Sequence, residues 1–192
     1  MRLFLVRHGQ STANLEKRYM GQTDVPLTEL GQAQAEAIRP ILAPFTFDKV
    51  YTSDLQRAIN TQKLALPEAT DVVRLKILRE VDVGELVGTP INEMPAPYDP
   101  LFPKHKDYSF KNGENFSMVR ERAQAFLDEV LASGAETVAA FSHFGFLCCL
   151  TQLMLDTEIA NGHTPIDNCG IVVLEHDGTK WRLLAWNSGK TL

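Results

Sequence analysis

Leu3-Phe4-Leu5-Val6-Arg7-His8 is the stretch of sequence that decides the fold. Its four apolar residues are continuous rather than alternating, and such a run is typical of a parallel strand that is buried on both faces of a sheet. Arg7 and His8 follow directly, so the predicted strand ends on two side chains that can bind anions or transfer protons. Because ligands of open α/β sheets bind at the carboxyl ends of the strands, this stretch also predicts where a functional site lies.

Apolar strands and amphipathic helices alternate along the rest of the chain. A polar loop is predicted after the first strand, then helices over 28–42, 54–65, 115–132 and 144–155, and strands over 49–52, 72–78 and 137–141. A hairpin over 169–175 and 181–186 is predicted to turn near Asp177-Gly178. We therefore predict an α/β fold, a single-domain three-layer α/β/α sandwich over residues 1–192, whose mostly parallel sheet carries an antiparallel edge.

Residues 86–113 are predicted to form an irregular insertion that covers one end of the domain as a lid. Five of the ten prolines fall between Pro90 and Pro103, and proline interrupts helices and strands alike. Lys104 and Lys106 lie among aromatic residues there and could hold a second anionic group of a ligand. The alternative is that the aromatic side chains only anchor the loop while the lysines are solvated.

The composition is that of a globular domain with a mildly acidic surface. The 192 residues carry 19 lysines and arginines against 24 aspartates and glutamates, a net charge of −5, which disfavours nucleic acid and anionic membranes as partners. The longest apolar run, 144–155, is too short to span a bilayer, and the amino-terminal run is too short for a signal peptide. The three cysteines suggest neither a disulfide framework nor a zinc site, so we expect a cytoplasmic protein without a bound metal.

Chemically capable side chains follow four of the predicted strands. Arg7 and His8 end the first strand, Arg57 follows the second, Glu80 the third and His143 the fourth. Since parallel strands direct their carboxyl ends to one edge, we expect these five side chains to meet there. Arginines bind phosphate oxygens, a neutral imidazole can attack phosphorus, and a carboxylic acid can protonate the leaving oxygen. Each residue taken alone is more often structural, so the prediction depends on their convergence.

Several segments, in order along most of the chain, resemble the histidine phosphatase superfamily, also called phosphoglycerate mutase-like. The string Leu5-Val6-Arg7-His8-Gly9-Gln10-Ser11-Thr12-Ala13-Asn14 is similar to its signature. The further matching segments are 21–28 with Gly31 and Gln32, 53–58 with Thr61, Leu78-Arg79-Glu80 with Gly84 and Gly88, Gly113-Glu114 with Arg122, Phe141-Ser142-His143, and Asn168-Cys169-Gly170. The tripeptide Arg7-His8-Gly9 alone would be weak support, whereas the ordered series is specific.

The resemblance implies a role for each residue of the predicted constellation. His8 would be the nucleophile that becomes phosphohistidine, and Glu80 would be the proton donor. Arg7, Arg57 and His143 would bind the phosphoryl group. For His8 to attack through one ring nitrogen, the other must carry the proton, and we expect a backbone carbonyl to hold it. We expect neither a cofactor nor a metal in this reaction.

A second set of residues is expected to contact the substrate. By the resemblance, Asn14 would add a phosphate contact, and we also place Gly21, Gln22 and Phe144 in the substrate pocket. Many relatives carry glycine where Phe144 stands, and mutases of the family tend to have Gly-Trp where this chain has Gly21-Gln22. These departures remove no catalytic group, but they indicate a modified pocket.

The predicted function is hydrolysis of a phosphomonoester, a small phosphorylated metabolite, by a histidine acid-type phosphatase. The length of the chain and Gly21-Gln22 favour a short phosphatase branch over a cofactor-dependent phosphoglycerate mutase, which is the first alternative. The second alternative is a non-catalytic domain that binds a phospho-ligand; such a domain would be expected to lose His8 or Glu80, and both are present. A homodimer is compatible with the sequence.

Overall fold

One mixed sheet runs through the described part of the structure. The computed structural model describes residues 1–93, 109–157 and 165–188. The strands in these ranges are β1 (Arg2–Arg7), β2 (Lys49–Ser53), β3 (Val72–Leu75), β4 (Thr137–Ser142), β5 (Ile171–His176) and β6 (Trp181–Ser188). Their order is β3-β2-β4-β1-β5-β6, in which the first four are parallel and β5 and β6 pair antiparallel. The predicted parallel sheet with an antiparallel edge is confirmed.

Helices cover both faces of this sheet. Those in the described ranges are α1 (Thr12–Glu16), α2 (Glu29–Ala37), α3 (Arg39–Leu42), α4 (Gln56–Ala65), α5 (Phe116–Ala132) and α6 (Phe144–Leu155). Leu3 and Leu5 of β1 pack into the core formed with α5 and α6. Phe4 and Val6 pack into the core formed with α2, α3 and α4. The opening apolar run is therefore buried on both faces, and the fold is the predicted three-layer α/β/α sandwich.

The first predicted helix, over 28–42, is two helices in the structure. α2 ends at Ala37 and α3 begins at Arg39, with Ile38 between them. Pro40 lies in the first turn of α3, where a backbone N–H has no helical partner in any case. The same proline cannot continue α2, because its ring removes the hydrogen bond that a helix interior requires. The prediction of one continuous helix was wrong for this reason.

The polar loop predicted after β1 contains a short helix, α1. The side chain of Ser11 accepts a hydrogen bond from the Asn14 N–H, and the side chain of Asn14 accepts one from the Ser11 N–H, which forms a capping box. The helix ends at Glu16, and the φ of 53° at the following residue, Lys17, lies in the left-handed region. Five residues are too few to show an amphipathic period, so the pattern of the sequence did not predict this helix.

The third predicted strand, over 72–78, is shorter than expected. β3 ends at Leu75, which pairs with Ser53, the last residue of β2. Beyond this pair β2 offers no further partner, and residues Lys76–Leu78 form a 3₁₀ turn instead. This turn brings the chain to Glu80.

Most of the predicted lid lies outside the described residues. Residues 94–108, which include Lys104 and Lys106, belong to that part, so the lid stays a prediction. The flank that is described contains 3₁₀ turns at Gly84–Leu86 and Ile91–Glu93. In the ranges covered by the structure, no helix is both long and apolar enough to cross a bilayer.

Candidate active site

The carboxyl ends of β1, β2 and β4 meet at one edge of the sheet. Arg7 of β1 lies opposite Ser142 of β4, so His8 and His143, which follow these residues, are neighbours whose ring centroids are 5.1 Å apart. Arg57 lies in the first turn of α4, after β2. A cavity of about 170 Å³ opens here. The predicted site residues that line it are Arg7, His8, Asn14, Gly21, Arg57, Glu80 and Phe144.

His8 is buried, and the backbone fixes one of its ring nitrogens. Nδ1 lies 2.7 Å from the Gly9 carbonyl oxygen, which can only accept, so Nδ1 carries the proton and Nε2 keeps its lone pair. The expected backbone acceptor is thereby confirmed. Burial lowers the pKa of His8 well below its usual value, and the guanidiniums of Arg57 and Arg7 lower it further. At physiological pH His8 is therefore neutral, which is the nucleophilic form of an imidazole.

The loop that carries His8 packs directly against neighbouring backbone. The Gly9 N–H donates to Thr61 Oγ1 at 2.9 Å. A Cβ atom on Gly9 would overlap the Gly31 carbonyl oxygen of α2, and a Cβ atom on Gly31 would overlap the carbonyl oxygen of Gln10. Two glycines therefore permit a backbone contact that no other residue would allow, and this contact fixes the position of His8.

Arg57 is held by protein acceptors on three nitrogens. Nη1 donates to the Thr23 carbonyl oxygen at 2.9 Å, and Nη2 donates to the Gly21 carbonyl oxygen at 2.8 Å. Nε donates to Nδ1 of His143 at 3.2 Å. Because Nη1 and Nη2 each carry two protons, each keeps one N–H for a ligand in the cavity that Arg57 lines.

His143 is completely buried and lies behind the cavity rather than in its lining. Since its Nδ1 accepts from Arg57, its Nε2 carries the proton and donates to Ser53 Oγ at 2.9 Å. Burial lowers the pKa of His143 well below its usual value, and the charge of Arg57 adds to this effect. In this arrangement His143 orients Arg57, and both of its ring nitrogens are engaged inside the protein.

Arg7 lies between the backbone and an aromatic ring. Its Nη1 donates to the Ile166 carbonyl oxygen at 2.6 Å. Its Nε is buried without a hydrogen-bond partner in the described structure, while other atoms of the residue line the cavity. The guanidinium carbon lies 5.2 Å from the centroid of the Phe144 ring. Phe144, the first residue of α6, therefore stacks beside Arg7, one of the arginines that line the cavity.

The side-chain amide of Asn14 has one possible orientation. Its Oδ1 lies 3.1 Å from the Ser11 backbone nitrogen and 3.1 Å from Nδ2 of Asn168. Both of these groups can only donate, so the oxygen must face them. The same Nδ2 of Asn168 also donates to the His8 carbonyl oxygen at 3.1 Å. The Asn14 NH2 group is therefore turned away from these donors, and it can donate a hydrogen bond to a ligand in the cavity that Asn14 lines.

The carboxyl group of Glu80 is bound by three backbone N–H groups. Oε1 accepts from Val81 at 2.9 Å and from Phe146 at 3.2 Å, and Oε2 accepts from Gly145 at 3.2 Å. Phe146 and Gly145 belong to the first turn of α6, where the N–H groups lack helical partners. Glu80 therefore satisfies the start of α6, and this contact fixes its carboxyl group in the cavity wall.

The backbone that carries Glu80 is held in place by three side chains. We call these three, Gln22, Glu114 and Arg122, the Glu80 clamp. Nη1 of Arg122 donates to the carbonyl oxygens of Ile77 and Arg79 at 2.6 and 3.0 Å. Its Nη2 lies 3.4 Å from the Glu80 carbonyl oxygen, to which Nε2 of Gln22 also donates at 3.2 Å. Gln22, placed in the substrate pocket from the sequence, does not line the cavity.

Glu114 completes the clamp by orienting Arg122. Its Oε1 accepts from Nε of Arg122 at 2.7 Å, and its Oε2 accepts from Nη2 at 2.8 Å and from the Asp82 N–H at 2.8 Å. This paired, bidentate geometry is the strongest form of an arginine–carboxylate contact. The sequence marks both residues as part of a matching segment but assigns them no role.

The cysteines are not reactive groups of this site. Cys148, Cys149 and Cys169 are buried, and none of them forms a disulfide. Burial raises the pKa of Cys149 to about 11 and that of Cys169 to about 12, so these thiols stay protonated. Within the described residues, no group of three or more histidine, cysteine, aspartate or glutamate side chains could hold a metal ion.

Known proteins share both the sequence pattern and the fold. The adenosylcobalamin/alpha-ribazole phosphatase of Salmonella typhimurium is 32% identical over 174 residues, 84% of this chain and 83% of that protein. The 2,3-bisphosphoglycerate-dependent phosphoglycerate mutase 2 of Gloeobacter violaceus is 45% identical over 101 residues, and the match spans 50% of this chain and 46% of the mutase. This second match therefore covers about half of either protein.

A solved structure matches almost the whole chain. The mycobacterial glucosyl-3-phosphoglycerate phosphatase, determined in complex with VO3, aligns with a TM-score of 0.85 at 29% sequence identity, covering 97% of this chain and 98% of that one. The family model for the histidine phosphatase superfamily (branch 1) matches residues 3–189. This chain therefore belongs to branch 1 of the histidine phosphatase superfamily.

Proposed function

We propose that this phosphatase hydrolyses the monoester of a small phosphorylated metabolite through a phosphohistidine formed on His8. The His8 imidazole carries the proposal. Its proton is fixed on Nδ1 by the Gly9 carbonyl oxygen, and it lines a cavity together with the guanidiniums of Arg7 and Arg57. A neutral nucleophile can approach a phosphoryl dianion without repulsion, while two cations offset the charge on its oxygens. Relatives named as phosphatases of small phosphorylated metabolites support this class of substrate.

The proposed reaction has two steps of phosphoryl transfer. In the first, Nε2 of His8 forms a bond to phosphorus, the ester P–O bond breaks, and Glu80, acting in its acid form, protonates the leaving alcohol. In the second, Glu80 takes a proton from water as the water oxygen attacks phosphorus, and the P–N bond breaks to release inorganic phosphate. The equatorial oxygens would be bound by Arg7, Arg57 and the NH2 group of Asn14. His143 would join them directly only if its Nδ1 gave up the hydrogen bond from Arg57 and gained a proton that it could donate to a phosphoryl oxygen.

Substitution of His8 tests the nucleophile. We expect the wild-type protein to release phosphate from a panel of phosphomonoesters and to retain acid-labile label from a ³²P-labelled ester after rapid quenching, whereas His8→Ala should do neither. His176→Ala is a matched control, because His176 stacks on Trp181 at the other end of the sheet, with ring centroids 4.9 Å apart. Substantial turnover by His8→Ala would refute the phosphohistidine mechanism.

Substitution of Glu80 tests the proton donor. Glu80→Gln keeps the shape of the side chain but cannot give up a proton to the leaving oxygen. The variant should therefore lose most activity toward alkyl phosphates, whose alcohols are poor leaving groups, and less toward p-nitrophenyl phosphate. Equal losses for the two esters would assign the proton donor to another group.

A phosphoglycerate mutase is the second candidate, since the Gloeobacter violaceus relative with 45% identity over half of the chain carries that name. The same protein can be incubated with 3-phosphoglycerate with and without 2,3-bisphosphoglycerate. Interconversion of 3- and 2-phosphoglycerate that is faster than phosphate release would favour the mutase. Tight phosphate binding without turnover in either assay would instead identify a non-catalytic phospho-ligand domain.

We also propose that the enzyme acts in the cytoplasm and without a metal ion. The three cysteines are buried and form no disulfide, which suits a reducing compartment. Arg7 and Arg57 supply the positive charge that a metal ion would otherwise bring to a phosphoryl group. Activity should therefore be unchanged after dialysis against EDTA, and a loss that Mg²⁺ or Zn²⁺ restores would overturn this part of the proposal.

A further inference from the structure

The part of the cavity that would receive the leaving group has an apolar wall. Because Glu80 must reach the leaving oxygen, the group attached to that oxygen lies beside the residues that flank Glu80. Val81 and Val83 follow it on its own segment, and both line the cavity. Phe144 also lines the cavity, and its neighbour Gly145 donates its N–H to the Glu80 carboxyl group. Three apolar side chains that line the cavity therefore neighbour Glu80 in the chain or at its hydrogen-bonded partner, and they lie near the position from which the alcohol would depart.

Phe144 lies at the boundary between the expected phosphoryl site and this wall. Its ring stacks over the guanidinium of Arg7 at 5.2 Å. The stacking restrains the ring at the point where the ester oxygen would join the phosphoryl group to the rest of the substrate. An apolar or aromatic body at that point would bury surface against Phe144, whereas a hydroxylated body would lose hydration without a hydrogen-bonding partner on the ring.

A second anionic group on the leaving alcohol would find little compensation in the described lining. Arg7 and Arg57 are engaged by the proposed phosphoryl group, and Arg18 is the remaining cation of that lining. Arg18 already donates to the Gly88 carbonyl oxygen at 2.6 Å, and its Nε lies 3.7 Å from a carboxylate oxygen of Glu16. A carboxylate or second phosphate would therefore leave water for an apolar wall, and the remaining cation of the described lining, Arg18, is half-exposed, so water would weaken its contact with the anion.

We propose that the site selects monophosphate esters of neutral alcohols that carry an apolar or aromatic body, and that Phe144 is a principal specificity contact. The inference rests on the proposed phosphatase function. It concerns the alcohol, whereas the phosphohistidine mechanism concerns the phosphoryl group, so the two can fail separately.

Three esters of primary alcohols test the selection: 2-phenylethyl phosphate, glycerol 1-phosphate and glycerate 3-phosphate. We expect kcat/KM for the phenylethyl ester to exceed that of the other two by about tenfold or more, the size of effect that an apolar pocket provides. A preference for glycerol 1-phosphate or glycerate 3-phosphate would overturn the inference and leave the phosphatase proposal intact. Failure to hydrolyse any ester would refute both.

Substitution of Phe144 tests the contact itself. Phe144→Ala should lower the ratio of kcat/KM for 2-phenylethyl phosphate over glycerol 1-phosphate about tenfold, mainly through KM, and Phe144→Leu should restore most of that ratio. Phe45→Ala is the control, because Phe45 packs against Phe4 in the other core, with ring centroids 4.6 Å apart. A Phe144→Ala variant that slows both esters equally would show that Phe144 supports Arg7 and does not select the alcohol.

Discussion

Removal of the Arg122 side chain should destabilise the protein strongly. Only 17% of the Arg122 side chain and 10% of the Glu114 side chain are exposed, so Arg122→Ala would leave a nearly buried carboxylate without its bidentate partner. The carbonyl oxygens of Ile77 and Arg79 would lose their donor as well. Breaking a buried ion pair by removing one member typically costs about 3–5 kcal/mol, and we expect a loss in that range in the free energy of unfolding.

Urea denaturation and thermal melting measure this loss. In a chain of this length 1 kcal/mol corresponds to about 2–4 °C in Tm, so a loss of about 3–5 kcal/mol should lower the Tm of Arg122→Ala by about 6–20 °C. Arg182→Ala is the matched control. Its ion pair with Asp177 has a similar distance, 2.8 Å, but 56% of the Arg182 side chain is exposed, so the melting temperature should hardly change. A loss below about 1 kcal/mol for Arg122→Ala would refute the reasoning from burial.

A folded variant tests whether the Glu80 clamp acts on Glu80. Arg122→Lys keeps the charge but cannot bridge Glu114 and the carbonyl oxygens in the same fork. At a temperature where this variant is folded, alkyl phosphates should be slowed more than p-nitrophenyl phosphate, as for Glu80→Gln. A merely structural role of Arg122 would slow both esters alike, and that outcome would remove the link to Glu80.

Three further perturbations follow from the geometry around His8. The pKa values of His8 and His143 are lowered in the folded state, so their contribution to the free energy of unfolding is complete above the unfolded pKa of about 6.5 and is lost as the pH falls below it. Urea denaturation should therefore give a lower free energy of unfolding at pH 5.5 than at pH 7.5, and this difference should be smaller in His8→Asn. Gly31→Ala should lower the free energy of unfolding by about 1–3 kcal/mol, because the Cβ of alanine would overlap the Gln10 carbonyl oxygen. Alanine is the better helix former, so a rise in Tm would contradict this reasoning. Asn14→Asp should leave Tm unchanged, because a carboxylate oxygen can accept the same hydrogen bonds from Ser11 and Asn168. The Ki of inorganic phosphate should rise at least tenfold through charge repulsion, and an unchanged Ki would show that the phosphoryl group binds elsewhere.

The fold could be predicted from the sequence wherever an element is long and apolar. The run 3–6 revealed a strand buried on both faces, because each face of the sheet needs its own core. The break between α2 and α3 was hidden by an apolar stripe that continues through Pro40. The helix α1 depends on hydrogen bonds between Ser11 and Asn14. In the sequence, this pair of residues looks the same at the start of a short helix as in a turn, so the helix could not be predicted.

The candidate site could be predicted only in part, for a different physical reason. The convergence of Arg7, His8, Arg57 and Glu80 follows from the rule that parallel strands end at one edge, which needs only the order of the elements. The hydrogen bonds that hold these side chains in place could not be predicted, because most of them are made to backbone atoms. Arg122 binds carbonyl oxygens 43 and 45 residues away, and any residue type supplies such an acceptor.

The net charge of −5 discourages the expectation of an anionic substrate, yet the local field of the site has the opposite sign. Burial lowers the pKa values of Arg7 and Arg57, which means that their charges are only partly solvated. The same two charges help to keep His8 unprotonated, so in the proposed mechanism its lone pair is available at the place where the two cations would bind a phosphoryl group. In the proposed mechanism, the activation of the nucleophile and the attraction of the substrate therefore have one physical cause. A lysine pair in a solvated groove would provide the attraction without the activation, because water would screen its effect on the histidine.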